Sequence, residues 1–86
     1  NYPNPFNPST TIKFSIPKAS YVTLKVFDIK GRNVANLINE NMNPGVYYSP
    51  FNGEGLSSGV YFYALETKDI NTGKVFKETR RMLMVK

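Results

Sequence analysis

An all-β domain, a sandwich or a barrel, is predicted by three features of the sequence. Apolar and polar residues alternate with a period of two in successive short segments. Turn signals built from Gly, Pro, Asn and Asp separate those segments about every 8 to 14 residues. No stretch carries the apolar spacing of an amphipathic helix. The clearest segment is Gly59-Val60-Tyr61-Phe62-Tyr63-Ala64-Leu65, whose β-branched and aromatic residues mark a central strand between the loop at Asn52-Gly53-Glu54-Gly55 and the turn from Asp69 to Gly73. Alternation sets Tyr61, Tyr63 and Leu65 on one face, expected in the core, and Val60, Phe62 and Ala64 on the other, where Phe62 is open to an outward contact.

The remaining elements follow in order. Prolines 3, 5 and 8 in Tyr2-Pro3-Asn4-Pro5-Phe6-Asn7-Pro8-Ser9-Thr10 remove backbone donors and hold φ near −65°, so residues 1–10 form an extended lead-in, which Tyr2 and Phe6 can tie to the domain. Residues 11–16 alternate, with Ile12, Phe14 and Ile16 apolar, until Pro17 stops the ladder. Residues 21–29 alternate again around Val22, Leu24 and Val26. Asp28 to Arg32 is a turn with Gly31 at a positive φ, so residues 33–38 return antiparallel, although Val34, Leu37 and Ile38 keep a poor period. A polar connection over 39–43 and the turn Pro44-Gly45 lead to a strand over 46–51, which Pro50 confines to an edge or a bulge. The turn at 69–73 closes a hairpin onto a last strand over 75–85. The 86 residues suit one domain with a single modest core: the lead-in, then a β-sandwich over 11–86, with no internal sequence repeat.

Composition excludes several functions. There is no Cys and no His, so disulfide and thiolate chemistry are absent, as are the commonest general base and metal ligand. Gly55-Leu56-Ser57-Ser58-Gly59 matches a nucleophile elbow in letters, but it precedes a strand instead of a helix and has no His to take a proton. Asp28, Glu40, Glu54, Glu66, Asp69 and Glu78 are dispersed singly and form no calcium loop, so neither a metal nor a cofactor is expected. Asn7-Pro8-Ser9 is no glycosylation acceptor, because proline holds the middle position. No apolar run approaches the roughly 20 residues of a membrane span. The chain opens on Asn1-Tyr2-Pro3 without Met or a signal peptide and reads as a piece of a longer protein. The net charge is +5, with five cations and one carboxylate within residues 74–86. A strand-borne cluster of that kind reads as a solvated edge, not as a track for nucleic acid.

Two groups of residues remain for binding. Tyr47, Tyr48, Phe51, Tyr61, Phe62 and Tyr63 would suit a sugar-stacking platform, which makes a fibronectin-like or carbohydrate-binding accessory module of a secreted hydrolase the alternative function. Trp is absent, and core packing accounts for Tyr61 and Tyr63 more simply. Leu56 followed by Tyr61 at a strand start also matches a tyrosine corner, in which the phenol bonds a backbone group just upstream. At the other end, Met82-Leu83-Met84-Val85 is apolar on both faces of a terminal strand, behind Arg80 and Arg81. An apolar edge of that kind is covered by a loop or receives a partner, with the basic residues setting orientation.

Taken together, Tyr2-Pro3-Asn4-Pro5-Phe6-Asn7-Pro8, the strand Val22-Thr23-Leu24-Lys25-Val26-Phe27-Asp28 with its Gly31-Arg32 turn, Leu56-Ser57-Ser58-Gly59-Val60-Tyr61-Phe62-Tyr63 and the closing Arg81-Met82-Leu83-Met84-Val85-Lys86 resemble the type A C-terminal sorting domain of the type IX secretion system. The motifs occur in family order across the whole chain. That domain is similar to the immunoglobulin-like domain of the flagellar hook-capping protein. The resemblance therefore implies an immunoglobulin- or fibronectin-like antiparallel β-sandwich of six to seven strands. It also implies a non-catalytic secretion signal at the tail of an exported protein of the Bacteroidetes and their relatives. Such a protein passes through the periplasm to the cell surface or the medium. The implied partners are an outer-membrane translocon, its shuttle protein and a sortase-like peptidase that attaches cargo to surface lipopolysaccharide. The implied partner-binding residues are Arg80, Arg81, Met82, Leu83, Met84, Val85 and Lys86. The hairpin Asp69-Ile70-Asn71-Thr72-Gly73 is somewhat longer than the family's usual tight turn.

Overall fold

Each alternating segment of the sequence becomes a strand. The computed structural model describes residues 8–85, so the expected contacts of Tyr2 and Phe6 lie outside the described residues, as does Lys86. The strands are β1 (Ser9–Ile16), β2 (Ser20–Asp28), β3 (Asn33–Met42), β4 (Gly45–Asn52), β5 (Gly59–Asp69) and β6 (Val75–Met84). They form two antiparallel sheets, a small one of order β1-β4 and a large one of order β3-β2-β5-β6. The six strands make a sandwich without a helix among the described residues. Ser9 and Thr10, read from the sequence as the end of the lead-in, already belong to β1, opposite Asn52 and Phe51.

The core lies between the sheets and is built from one parity of β1, β2, β4, β5 and β6. Ile12, Phe14 and Ile16 of β1 and Phe51 of β4 meet Val22, Leu24 and Val26 of β2, Tyr61, Tyr63 and Leu65 of β5, and Met82 and Met84 of β6, all buried. On the small sheet Tyr47 stacks on Phe14 with ring centroids 5.7 Å apart, within the range of favourable aromatic pairs. Pro50 sits on β4 opposite Thr11, where a two-stranded sheet has only edge strands and a missing donor is tolerated.

β3 is longer than the sequence reading made it. It runs on through Asn39–Met42, read as a polar connection, because these residues pair with Ser20 to Thr23 of β2 and the ladder does not require apolar side chains at a sheet edge. Its irregular period has a cause in the register, which skips Leu37 between Asn36 and Ile38 and Val34 between Asn33 and Ala35. Each skip is a β-bulge, two residues opposite one. The bulges let the neighbouring pairs Val34 and Ala35, then Leu37 and Ile38, all pack against the core.

Both hairpins of the large sheet end on an aspartate. Asp28 Oδ1 accepts from the backbone N–H groups of Lys30 and Arg32, each at 2.9 Å, and Gly31 takes φ +83°. Asp69 Oδ1 accepts from Asn71 and Thr72 at 2.8 and 3.2 Å, and Gly73 takes φ +74°. The second turn holds one more residue before its glycine, which accounts for its length, and it still sets Lys68 opposite Val75.

Two strands open on the same short motif. β4 and β5 both begin Gly-Val-Tyr. Tyr47 Oη donates to the carbonyl of Asn43 at 2.7 Å and Tyr61 Oη to that of Ser57 at 2.7 Å, so each phenol ties its strand to the residue four positions upstream. The tyrosine corner expected at Tyr61 is present, and the chain uses the same device at Tyr47.

Candidate partner-binding surface

β6 is an edge strand of the large sheet, and its alternation decides what each residue of the closing motif can touch. Met82 and Met84 point between the sheets and are fully buried, with 0% exposure. Arg81, Leu83 and Val85 are exposed, and Leu83 retains 45% of its surface. Arg80 shares the parity of Met82 but is exposed. It lines an open cleft of about 770 Å³ with Lys13, Phe14, Tyr63, Leu65 and Phe76. The contiguous run Arg80 to Val85 is therefore divided between the two faces of one sheet, with Arg80 and Arg81 on opposite sides.

The two arginines differ in their surroundings. Arg80 donates to Glu78 Oε2 at 3.0 Å, and that hydrogen bond, with the carboxylate's charge, holds its guanidinium above the ordinary value. Beside it, burial pushes the Tyr63 phenol up. Arg81 stands directly opposite Phe62 on β5, and Phe62 stands opposite Phe27 on β2. Phe62 thus faces outward in a half-buried row with Phe27. Phe27 and Val60 were not singled out by sequence reasoning, although the alternation of Val22, Leu24 and Val26 already sets Phe27 on the opposite face.

The aromatics considered for sugar stacking do not share a surface. Phe51, Tyr61 and Tyr63 are buried, Phe62 lies on the outer face of the large sheet, and Tyr48 is exposed on the small sheet with Lys13 Nζ 5.9 Å from its ring centroid. The serines of the elbow-like motif belong to a turn, in which the Leu56 N–H donates to the Gly53 carbonyl at 2.9 Å and the Ser57 carbonyl receives Tyr61. Among the described residues no three His, Cys, Asp or Glu side chains gather in one place, and no helix is long and apolar enough to cross a membrane.

The profile of the secretion system C-terminal sorting domain family matches residues 1–78. The chain belongs to that family. For this sorting domain, membership supports the role of a type IX secretion signal, which carries a protein to the cell surface or the extracellular space. The match ends before Arg80, so the closing motif is placed by the structure alone. No curated protein matches the chain. Among solved structures, CopC from Methylosinus trichosporium OB3b is similar in fold, with a TM-score of 0.63 at 13% identity over 92% of this chain and 79% of that one. At that identity the likeness shows the sandwich and nothing of its use.

Proposed function

We propose that this sorting domain is a non-catalytic signal that takes an attached cargo from the periplasm across the outer membrane and on to attachment at the cell surface. The translocon and its shuttle protein recognise it through β6, and a sortase-like peptidase then acts on the delivered cargo. The observation that carries the reading is the placement of β6. It is an edge strand, held in the core by Met82 and Met84, with Arg80, Arg81, Leu83 and Val85 left at the surface. Edge position with mixed basic and apolar side chains suits docking onto a partner. Met82 and Met84 contribute by fixing the strand, and the contact falls to the exposed residues and to Lys86.

The test is a reporter fused ahead of this chain, with a periplasmic signal peptide, in a host that has the secretion system. The wild-type fusion is expected outside the cell. Arg80→Glu with Arg81→Glu is expected to leave it in the periplasm, and secretion of that variant at the wild-type level would sink the assignment to β6. Deletion of residues 82–86 should also block export, but it removes two core side chains, so the charge-reversed pair is the more informative variant.

A further inference from the structure

We propose that the partner docks on the outer face of the large sheet, around Phe27 and Phe62, and that it presents an acidic protein surface with an apolar centre. The inference rests on the sorting role proposed above and moves the contact from the strand edge to the sheet face. The register lays this face out in rows. Phe27, Phe62 and Arg81 stand side by side on β2, β5 and β6. Val60 and Leu83 form the row on one side, and Lys25, Ala64 and Thr79 the row on the other. Beyond them the face is mainly polar, with Thr23, Glu66 and Lys77 in one row, then Tyr21, Lys68 and a lone exposed Val75, Tyr21 being bonded through its hydroxyl to Asn39.

Apolar side chains thus collect at one end of the face. Phe27, Val60, Phe62 and Ala64 are all partly exposed beside the exposed Leu83. Aromatic rings with an adjacent arginine are the side chains that most often dominate protein interfaces, and a half-exposed row of them loses water readily when covered. The charges are one-sided. Among the described residues this face carries the cations Lys25, Lys68, Lys77 and Arg81 against a single carboxylate, Glu66, which stands opposite Lys77. Asp28, at the end of β2, is engaged by Arg32 Nε at 2.7 Å. Arg81 and Lys25 therefore flank the two phenylalanines with no acid in the rows between them. A basic partner would be repelled here, while carboxylates set around an apolar centre would match both the charge and the water-excluding middle.

The reporter fusion tests this with variants that leave the core intact. Phe62→Thr and Phe27→Thr, which keep strand-forming side chains, are each expected to lower export at least about tenfold, the scale of losing an interface anchor. Lys25→Glu is expected to lower it more than Lys25→Gln. Val46→Thr and Tyr48→Thr, at exposed positions of the small sheet, are expected to export as wild type. Thermal melts of the purified chains check folding, and should Phe62→Thr fail to fold, the Lys25 pair decides. Wild-type export of Phe62→Thr and Lys25→Glu would overturn the docking face while leaving the sorting role in place. Equal export of Lys25→Glu and Lys25→Gln would overturn the acidic partner. A wild-type fusion retained in the periplasm would overturn both this inference and the sorting role beneath it.

Discussion

The hydroxyl of Tyr61 donates to the carbonyl of Ser57 at 2.7 Å, closing the loop ahead of β5 onto the strand that it feeds. The ring is buried in the core and the hydroxyl reaches a backbone acceptor in the loop. Tyr61→Phe keeps the ring and removes the donor, so it is expected to destabilise by about 1 kcal/mol, the net worth of a typical hydrogen bond. Tyr47→Phe removes the equivalent bond to Asn43, at a more exposed site, and should cost less. Urea unfolding of the two variants reads the difference.

Alternation along β6 makes a sharp contrast between adjacent residues. Met82 and Met84 are fully buried while Leu83 is 45% exposed. Met84→Ala is expected to cost about 2–5 kcal/mol through lost burial and a residual cavity, and Leu83→Ala well under about 1 kcal/mol. Equal losses at the two positions, measured by denaturant midpoints, would contradict the register of β6 against β5.

Gly53 sits where the two sheets meet at one end of the sandwich. Its N–H donates to the Pro8 carbonyl at 2.9 Å, and a Cβ placed there would lie 2.5 Å from Met84 Sδ and 3.0 Å from the Pro8 oxygen. The methionine can swing aside, but the carbonyl belongs to the backbone that starts β1. Gly53→Ala is therefore expected to destabilise by about 1–3 kcal/mol, the range of overpacked cores, with a lower midpoint in thermal unfolding.

The aspartates of the two hairpins are expected to make the domain sensitive to acid. Asp28 is held below its ordinary value chiefly by the Arg32 N–H, and Asp69 by the N–H groups of Asn71 and Thr72. A carboxylate whose folded value is depressed stabilises the fold above its unfolded value, and that contribution is lost as pH falls through the folded value. Stability should thus be level in the neutral range and decline once the medium is more acidic than the ordinary aspartate value of 3.8. Asp28→Asn and Asp69→Asn should each flatten the acid limb of a plot of urea midpoint against pH; an unchanged limb in the double variant would show that other groups control it.

Much of this architecture is legible in local sequence. The inward set Ile12, Phe14, Ile16, Val22, Leu24, Val26, Tyr61, Tyr63 and Leu65 follows from period-two alternation, and all are buried. Gly31 and Tyr61 take the roles that their neighbours imply. β3 was less legible, because its bulges at Val34 and Leu37 break the alternation on which the reading depends. The candidate site was half legible. Residues 80–85 stand out as a basic and apolar run, but Phe27 and Val60 belong to other strands and join the site only across the sheet.

The class of fold, the strands, the turn glycines and most of the core can be read locally, since each depends on the pleat of one strand or on the φ preference of one residue. The hairpin of β2 with β3 was legible from its turn, but the partners of strands distant in the chain, β1 with β4 and β2 with β5, came from tertiary contacts alone. Those pairings depend on closing loops between distant segments, and no local period encodes them. They also decided the fate of the closing motif. Pairing β6 against β5 turned Met82 and Met84 inward and set Arg81 beside Phe62 and Phe27, dividing the run Arg80 to Val85 between a buried anchor and side chains exposed on either side of the sheet.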